Sequence, residues 1–468
     1  MNSLSDTIRV GNSAVRGEFR AVEASVAFSD LLKGATFFDR IGDLRDRAVL
    51  LATNDQLSTA IALIELDGLA RRIVLCTPEL TDEQLSSVAA TAQTDAIVTH
   101  PSEKLLDRPF AIRSRMASRL LPGGGRWASD AATPTEWILL TSGTTGMPKL
   151  VVHSLESLAG ALPRASDDGI TSVWSTFYDI RRYGGLQIYL RAVRSAASLV
   201  LSNPSEPLHE FMARAAAAGV THISGTPTHW RRALMAGPPR NFAPRYVRLS
   251  GEIADQAVLD GLRAAFPTAT IAHAFASTEA GVAFDVNDGR AGFPAAFIDD
   301  VHSHAASGID LKVLDNTLRI RSRRNAVRYL GDASSPIMDR DGFVDTGDLV
   351  ERLGDRYYFR GRRGGVINVG GLKVYPEEVE AVINADPRVR MSLVRARRNP
   401  ITGAIVVADV VLADPQLFHD DPDGREQITM QLLKACRLSL PSHKVPTSLR
   451  LVDSLSLTPA GKLVRPNA

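Results

Sequence analysis

The chain has 468 residues, of which 44% are apolar and 23% charged, a composition typical of a globular protein with room for two or more domains. Its 54 basic and 52 acidic residues leave a formal net charge of +2, which gives no broad attraction for nucleic acid or a membrane and favours a small-molecule partner. The two cysteines match no zinc or redox motif. No apolar run forms a signal peptide or approaches the ~20 residues that cross a bilayer, so we predict a cytoplasmic protein. We expect a monomer or homodimer.

Short runs rich in β-formers recur through the first 280 residues, separated by segments with helical periodicity. One such segment follows Thr81, which has capping-box spacing to Gln84. Alternating strands and helices predict mostly parallel sheets covered by helices, the α/β class. The predicted strands lie at 48–53, 72–76, 95–100, 136–142, 198–202, 221–225, 246–251 and 270–276.

The pattern changes after residue 308. The stretch IDLKVLDNTLRIRSRR predicts two strands joined across residues 315–317, and hence a small antiparallel β subdomain. The segment 357–371 then contains five glycines and three arginines, a composition that suits a hinge. We predict an N-terminal domain over 1–360 and a small, mobile α+β domain over 361–468, built from a helix at Pro376, two strands and a helix around 426–438.

The stretch LLTSGTTGMPKLVVHS, residues 139–154, has the features of an anion-binding loop. Glycines at 143 and 146 let main-chain N–H groups turn toward an anion, hydroxyl side chains add donors, and Lys149 adds charge. The spacing differs from the Walker pattern, so a P-loop NTPase is not indicated. Gly, Ser and Thr are also common turn formers, and a plain polar turn is the alternative.

This loop resembles the signature of the adenylate-forming superfamily, which includes acyl-CoA synthetases, nonribosomal peptide adenylation domains and luciferases. Four further segments resemble motifs of that family in the same order: FASTEAG (275–281), DGFVDTGD (341–348), GRRGGVINVGGLKVYPEEVE (361–380) and LTPAGKLVR (457–465). Weaker similarity lies in SGTPTHWRRAL (224–234), SGEI (250–253) and SHKVP (442–446). The resemblance extends from about residue 136 to the C-terminus.

The resemblance implies a nucleotide site. Phe275 would stack on adenine, Asp348 and Arg362 would hold the ribose, and the loop before Lys149 would cover the β- and γ-phosphates of ATP. The residues assigned to the nucleotide are Thr141, Ser142, Gly143, Thr144, Thr145, Gly146, Gly251, Glu252, Ala274, Phe275, Ser277, Asp348 and Arg362. Plain packing remains the alternative for Phe275, and a turn role the alternative for Asp348.

The resemblance also implies a catalytic set: Thr278, Glu279, Lys149 and Lys462. Thr278 would contact the α-phosphate, Glu279 would hold Mg²⁺ with the ATP phosphates, and Lys462 would bridge the substrate carboxylate and the α-phosphate. The expected products are an acyl-adenylate and pyrophosphate. A helix cap at Glu279 and a solvated tail lysine at Lys462 are the alternatives.

A second step would transfer the acyl group to a thiol after the C-terminal domain rotates, with Gly371 and Lys373 lining the thiol channel. Coenzyme A is the expected acceptor, because no carrier domain follows residue 468. An acyl-carrier protein or an amine as acceptor, or an inactive homologue with a regulatory role, are the alternatives.

Three departures from the family pattern concern substrate and hinge. Gly364 and Gly365 replace the polar hinge residues, so the contacts that latch each conformer are expected to be missing. In YDIRRYGGL (178–186), Tyr178, Arg181 and Arg182 are acid-pocket candidates, and the arginines could pair with a second anion on the substrate; arginines on a solvated loop are the alternative. Ala276 replaces a usual glycine beside a pocket suited to a compact acid.

Overall fold

A computed structural model describes residues 3–10, 17–100, 110–117, 120–122, 134–141, 147–160, 162, 172–300, 308–331, 336–400, 402–414 and 422–465. Two mainly parallel sheets and one antiparallel sheet precede residue 363, and a smaller α+β unit follows. The predicted α/β class is confirmed, as are all eight predicted strands of the first 280 residues. No helix among the described residues is long and apolar enough to cross a membrane.

The regular elements are numbered in chain order. The strands are β1 (Glu18–Arg20), β2 (Ser25–Ala27), β3 (Ala48–Ala52), β4 (Arg72–Leu75), β5 (Ala96–Thr99), β6 (Ile112–Arg115), β7 (Glu136–Thr141), β8 (Lys149–His153), β9 (Val173–Thr176), β10 (Ser198–Val200), β11 (His222–Gly225), β12 (Tyr246–Ser250), β13 (Thr270–Ser277), β14 (Gly281–Val286), β15 (Phe293–Pro294), β16 (Ile309–Leu314), β17 (Thr317–Ser322), β18 (Arg328–Leu330), β19 (Val344–Leu353), β20 (Arg356–Arg362), β21 (Ile367–Val369), β22 (Leu372–Val374), β23 (Val389–Asn399), β24 (Gly403–Leu412) and β25 (Ser448–Leu451). The helices are α1 (Leu4–Val10), α2 (Phe28–Leu32), α3 (Gln56–Leu66), α4 (Asp82–Thr91), α5 (Leu155–Ala159), α6 (Tyr183–Arg194), α7 (Leu208–Ala217), α8 (Pro227–Ala236), α9 (Gln256–Ala265), α10 (Ala296–Asp299), α11 (Pro376–Asn384) and α12 (Pro422–Ser439).

The first sheet has the strand order β18-β8-β7-β4-β3-β5-β6. Its five strands from β7 to β6 are parallel, whereas β8 and β18 are antiparallel additions at one edge. Strands β4 and β5 are buried at every residue, because helices cover both faces of a parallel sheet. Helix α4 begins with the predicted capping box between Thr81 and Gln84.

The second sheet has the order β14-β13-β12-β11-β9-β10-β1-β2. All strands between its two edges are parallel, and the edge strands β14 and β2 are antiparallel. The carboxyl ends of β11, β12 and β13 therefore lie side by side, where open parallel sheets bind ligands. Thr226, Gly251 and Thr278 follow these three ends directly.

The third sheet, β15-β20-β19-β17-β16, is antiparallel throughout. The predicted hairpin is confirmed: Asp315 and Asn316 connect β16 to β17 with φ of 51° and 59°, as a two-residue turn of type I′ requires. Pairing of β19 with β20 places Asp348 opposite Arg362.

The unit after residue 363 has a hydrophobic core of its own, which extends from Ile367 to Leu449. Helix α11 begins at Pro376, as predicted, and β23 pairs with β24. The last helix, α12, begins at Pro422, four residues before the predicted start.

Candidate functional site

The site is organised around Lys462, which lies at the tip of a tight hairpin. Leu457 and Leu463 form an isolated β-bridge, and the main chains of Thr458 and Lys462 are joined by an N–H···O bond of 2.7 Å. Gly461, at φ 69°, makes the turn, in a backbone region that a residue with a Cβ rarely enters. This geometry directs Lys462 away from its own domain.

The Lys462 hairpin, residues 457–463, is docked on the carboxyl ends of β11 and β12. The hydroxyl of Thr226 donates to the carbonyl of Gly461 (3.0 Å). Glu252 accepts from the amide of Leu463 at one oxygen (3.2 Å) and from the amide of Thr228 at the other (3.0 Å). Glu252 therefore connects the hairpin to the start of α8.

The Lys462 side chain lies against Gly251. A Cβ built on Gly251 would be 3.2 Å from Cε and 3.5 Å from Nζ of Lys462, and 3.7 Å from the hydroxyl of Tyr178. That hydroxyl donates to the carbonyl of Ser250 (2.6 Å). Burial lowers the pKa of Lys462, as does the charge of Arg362, while Glu252 and Asp348 oppose both.

Asp348 and Arg362 form a neighbouring polar pair. Nε of Arg362 lies 3.2 Å from Oδ1 of Asp348. Burial raises the pKa of Asp348, and the positive charges of Arg362 and Lys462 act in the opposite direction. A carboxylate 15% exposed beside two cations can accept hydrogen bonds from a vicinal diol.

The turn after β13 carries Ser277, Thr278 and Glu279. Ser277 Oγ accepts from the amide of Ala280 (2.9 Å), so this hydroxyl shapes the turn. The carbonyl of Thr278 lies 2.7 Å from Nε2 of His153; a carbonyl only accepts, so Nε2 carries the proton. Burial lowers the pKa of His153 to about 4, and the ring is neutral at pH 7.

Tyr329 connects Glu279 to Lys149. Its hydroxyl donates to Glu279 Oε1 (3.3 Å), and its ring centroid lies 5.5 Å from Lys149 Nζ. Lys149 pairs with Thr141 across β7 and β8, so both ends of the predicted phosphate loop are in place. Ser142, Gly143, Thr144, Thr145 and Gly146 lie outside the described residues.

Phe275 has aromatic neighbours of its own. Its ring stacks on Phe359 (centroids 5.1 Å apart, 7° between planes) and on Phe284 (5.9 Å, 25°). Packing accounts for this side chain, and its stacking on adenine stays a prediction. Ala274 pairs with Ser250 on one side and with Asp285 on the other.

The structure counts against Arg181 as an acid-pocket residue. Arg181 is 1% exposed; its guanidinium binds both oxygens of Asp179 (2.6 and 2.8 Å) and donates to the carbonyl of Thr53. It has no free fork for a substrate, and we remove it from the acid pocket. Arg182 forms an ion pair with Glu79. Ala276 is half-buried and packs against a hydrophobic core that includes residues of α6.

The predicted hinge contains a polar contact of the residue that precedes its two glycines. Gly364 and Gly365 lie in a short 3₁₀ turn, Arg363–Gly365, and the side chain of Arg363 binds Asp345 (2.8 Å) and Thr317 (3.3 Å). In this conformer Arg363 supplies a polar contact next to the two glycines, and the effect of the glycines on the second conformer stays a prediction. Gly371 and Lys373 lie in the exposed β21–β22 hairpin.

Sequence reasoning missed the residues that hold the site together. His153 stands in the quoted loop segment, but its partner Thr278 is 125 residues away. Arg465 binds both oxygens of Glu380 (2.7 and 2.8 Å) and so fixes the outgoing strand of the Lys462 hairpin to α11. Thr226 is the N-cap of α8, and no local pattern in the sequence indicates the bond of its hydroxyl to Gly461.

Comparison with known sequences finds relatives that are named as acid ligases. The p-hydroxybenzoic acid–AMP ligase of Mycobacterium tuberculosis is 27% identical over 458 residues, 91% of this chain and 63% of the relative; the chain thus spans under two thirds of that relative's length. The 2-succinylbenzoate–CoA ligase of Salmonella typhimurium is 26% identical over 389 residues, 78% of this chain and 76% of the relative.

Solved structures share the fold. An anthranilate CoA ligase in complex with anthranoyl-AMP matches with a TM-score of 0.78 at 17% identity, over 99% of this chain and 95% of that one. An amide bond synthetase from Marinactinospora thermotolerans matches with a TM-score of 0.75 at 17% identity, over 98% and 97%. The family model for the C-terminal domain of AMP-binding enzymes matches residues 378–462, which include Lys462. Since the main model of that family matches residues 70–325, more than half of the sequence, the chain belongs to the AMP-binding enzymes.

Proposed function

We propose that this protein uses ATP to activate a small carboxylic acid as an acyl-adenylate, with release of pyrophosphate, and then transfers the acyl group to coenzyme A. The observation that carries the proposal is the docked Lys462, a cation beside Gly251 and within the electrostatic reach of Asp348. An ammonium group placed at the nucleotide site suits a reaction in which two anions must meet.

Each polar group has a role in this proposal. Asp348 and Arg362 bind the ribose, and Thr278, held through its carbonyl by His153, faces the α-phosphate. Lys462 neutralises the carboxylate and the α-phosphate as the first attacks the second, so its positive charge is used where negative charge collects. The loop from Thr141 to Lys149 covers the departing pyrophosphate.

Glu279 suits a magnesium ion. It is a single carboxylate with one oxygen bonded by Tyr329, and Mg²⁺ is usually held by one or two carboxylates together with phosphate and water oxygens. Among the described residues, no three His, Cys, Asp or Glu side chains form a metal cluster, which fits an ion that enters with ATP. When bound, the ion supplies charge neutralisation at the phosphates.

Thioester formation requires a second arrangement of the domains. Gly371 and Lys373 lie on an exposed hairpin in this conformer, and rotation about Arg363–Gly365 would exchange that hairpin for Lys462. A Cβ on Gly364 or Gly365 would meet nothing within 4 Å, so the turn itself is not packed against a neighbour. Rotation would have to break the Arg363–Asp345 contact and the bonds that dock the Lys462 hairpin on Thr226 and Glu252.

The first test is acid-dependent exchange of pyrophosphate into ATP over a panel of aryl and short-chain acids. Lys462→Ala should lower the exchange rate by ~10²–10³ and leave ATP binding intact. Lys434→Ala removes an exposed lysine from α12 of the same domain and should leave the rate unchanged. An unchanged rate in Lys462→Ala would refute the assignment.

The acceptor is a separate question. The relatives include an acid–AMP ligase, and the structural neighbours include an amide bond synthetase, so transfer to a carrier protein or an amine is the second candidate. Incubating the enzyme and a competent acid with CoA, a carrier protein or an amine, each alone, distinguishes the three. An inactive homologue would show no exchange with any acid; the joint presence of Glu279, Asp348 and a docked Lys462 argues against it.

A further inference from the structure

Strand β18 connects the turn that carries Glu279 to strand β8 of the first sheet. Just before β18, the amide of Ala326 donates to the carbonyl of Glu279 (2.8 Å), and the amide of Val327 donates to the carbonyl of Val152 in β8 (2.8 Å). All three residues of β18 then pair with β8, and Tyr329 is the central one. The backbone therefore fixes Tyr329 between the Glu279 turn and the strand that follows the predicted phosphate loop.

The side chain of Tyr329 contacts one anion and one cation. Its hydroxyl donates to Oε1 of Glu279 (3.3 Å), and its ring centroid lies 5.5 Å from Nζ of Lys149. Among the described residues, neither Glu279 nor Lys149 forms an ion pair, with each other or with a third side chain. One uncharged ring thus lies between two opposite charges that have no charged partner.

Separation of these two charges matters for ATP binding. Lys149 has a flexible four-carbon stem, and direct contact with Glu279 would neutralise the ammonium and occupy the carboxylate. Phosphate oxygens would then have to displace the carboxylate, and a metal ion would have to displace the ammonium. A tyrosine suits the separating position, because the face of its ring attracts an ammonium and its hydroxyl donates to a carboxylate.

The ring of Tyr329 is only partly enclosed. It packs against the hydrophobic core that contains Val151 and Ile337, and it also lines an open pocket of about 260 Å³ together with Gly331 and Ile337. A smaller side chain at this position would therefore keep contact with the core. It would also leave space into which the Lys149 side chain can move toward Glu279.

We propose that Tyr329 is a positioning residue that keeps Lys149 and Glu279 apart, so that the ammonium stays available to the phosphates of ATP and the carboxylate to Mg²⁺. The inference rests on the proposed function and adds a residue to its ATP site. Tyr329 acts through its two neighbours and does not itself contact the reacting atoms. Without the ring, Lys149 and Glu279 form an ion pair that ATP and Mg²⁺ must break.

The test measures binding of ATP to the full-length protein by calorimetric titration at a series of Mg²⁺ concentrations, with no acid present. Tyr329→Leu should raise the Mg²⁺ concentration that gives half-maximal ATP affinity about fivefold, the ratio expected when one partly exposed ion pair must be broken. Tyr329→Phe should keep this concentration within about twofold of wild type, because it keeps the ring face that attracts the ammonium.

A second background separates this role from general damage. In Lys149→Met the competing ion pair cannot form, so adding Tyr329→Leu should change the half-maximal Mg²⁺ concentration less than about twofold, a non-additive result. A merely structural tyrosine would give the same fivefold change in both backgrounds. Tyr358→Leu is the matched control, because Tyr358 is a half-buried tyrosine of β20; it should behave as wild type. Melting temperatures check that every variant is folded.

Three results would overturn the inference and leave the proposed function intact: no effect of Tyr329→Leu, an equal effect of Tyr329→Leu in both backgrounds, or an effect of Tyr329→Phe as large as that of Tyr329→Leu. The proposed function is decided separately by pyrophosphate exchange. If no acid supports exchange, the proposed function fails, and the titrations still decide the role of Tyr329 because they need no acid. A wild-type protein that binds no ATP would overturn both.

Discussion

Gly461→Ala should uncouple Lys462 from the nucleotide site. A Cβ at this position would overlap Nε2 and Cε1 of His229, well inside van der Waals contact. The ring cannot move aside, because it stacks on Phe177 (centroids 5.3 Å apart) and Nδ1 accepts from the amide of Thr226 (3.1 Å). Overpacking of this kind costs ~1–3 kcal/mol, and the cost applies only when the hairpin is docked.

At about 1.4 kcal/mol per factor of ten, that cost corresponds to a roughly 5- to 150-fold lower rate of adenylation. The assay is pyrophosphate exchange with a saturating acid, alongside ATP binding, which should not change. Gly403→Ala is the matched control: Gly403 has a similar φ of 76°, but a Cβ there meets nothing within 4 Å. It imposes the backbone strain without the clash. Full exchange activity in Gly461→Ala would refute the docked geometry as the reactive one.

Three further perturbations test parts of the molecule independently. Arg465→Ala should lower the exchange rate about tenfold, because it removes the forked bond to Glu380 that steadies the Lys462 hairpin; Arg465→Lys should restore part of the rate, and a wild-type rate in the alanine variant would contradict this role. His153→Ala should raise KM for ATP while KM for the acid stays constant, since the ring holds Thr278; equal changes in both would indicate general damage. Burial raises the pKa of Glu65 from 4.5 to about 8, although the hydrogen bond from Thr36 opposes the shift. The free energy of unfolding should therefore fall as pH rises from 4.5 to 8, and thermal melts of Glu65→Gln should show a weaker dependence on pH. If the melting temperatures of the two proteins change in parallel with pH, Glu65 does not titrate as described.

Local patterns predicted most of the fold. Apolar runs ending in polar turns located the parallel strands, and the capping box at Thr81 located α4, because these signals act within a few residues. The hairpin at Asp315 and Asn316 was found for the same reason. The order of the strands within each sheet could not be predicted from periodicity. Periodicity is a local property, whereas paired strands such as β1 and β10 are about 180 residues apart.

The candidate site was predictable only as a set of motifs. Family resemblance singled out Asp348 and Lys462, and their mutual proximity is visible only in the structure. The wrong assignment was Arg181. Its partner Asp179 stands two residues earlier in the quoted motif, but the motif alone does not show that the two side chains form a buried ion pair.

The bonds that dock the Lys462 hairpin have a consequence for how this protein can vary. Thr226 and Glu252 both bind main-chain atoms of the hairpin, those of Gly461 and Leu463. The surface formed by Thr226 and Glu252 therefore binds the hairpin through its main chain and not through its side chains. Within the hairpin, Gly461, Lys462 and Thr458, whose hydroxyl accepts from the Lys462 amide (3.2 Å), are therefore the positions where we expect substitutions to disturb docking most.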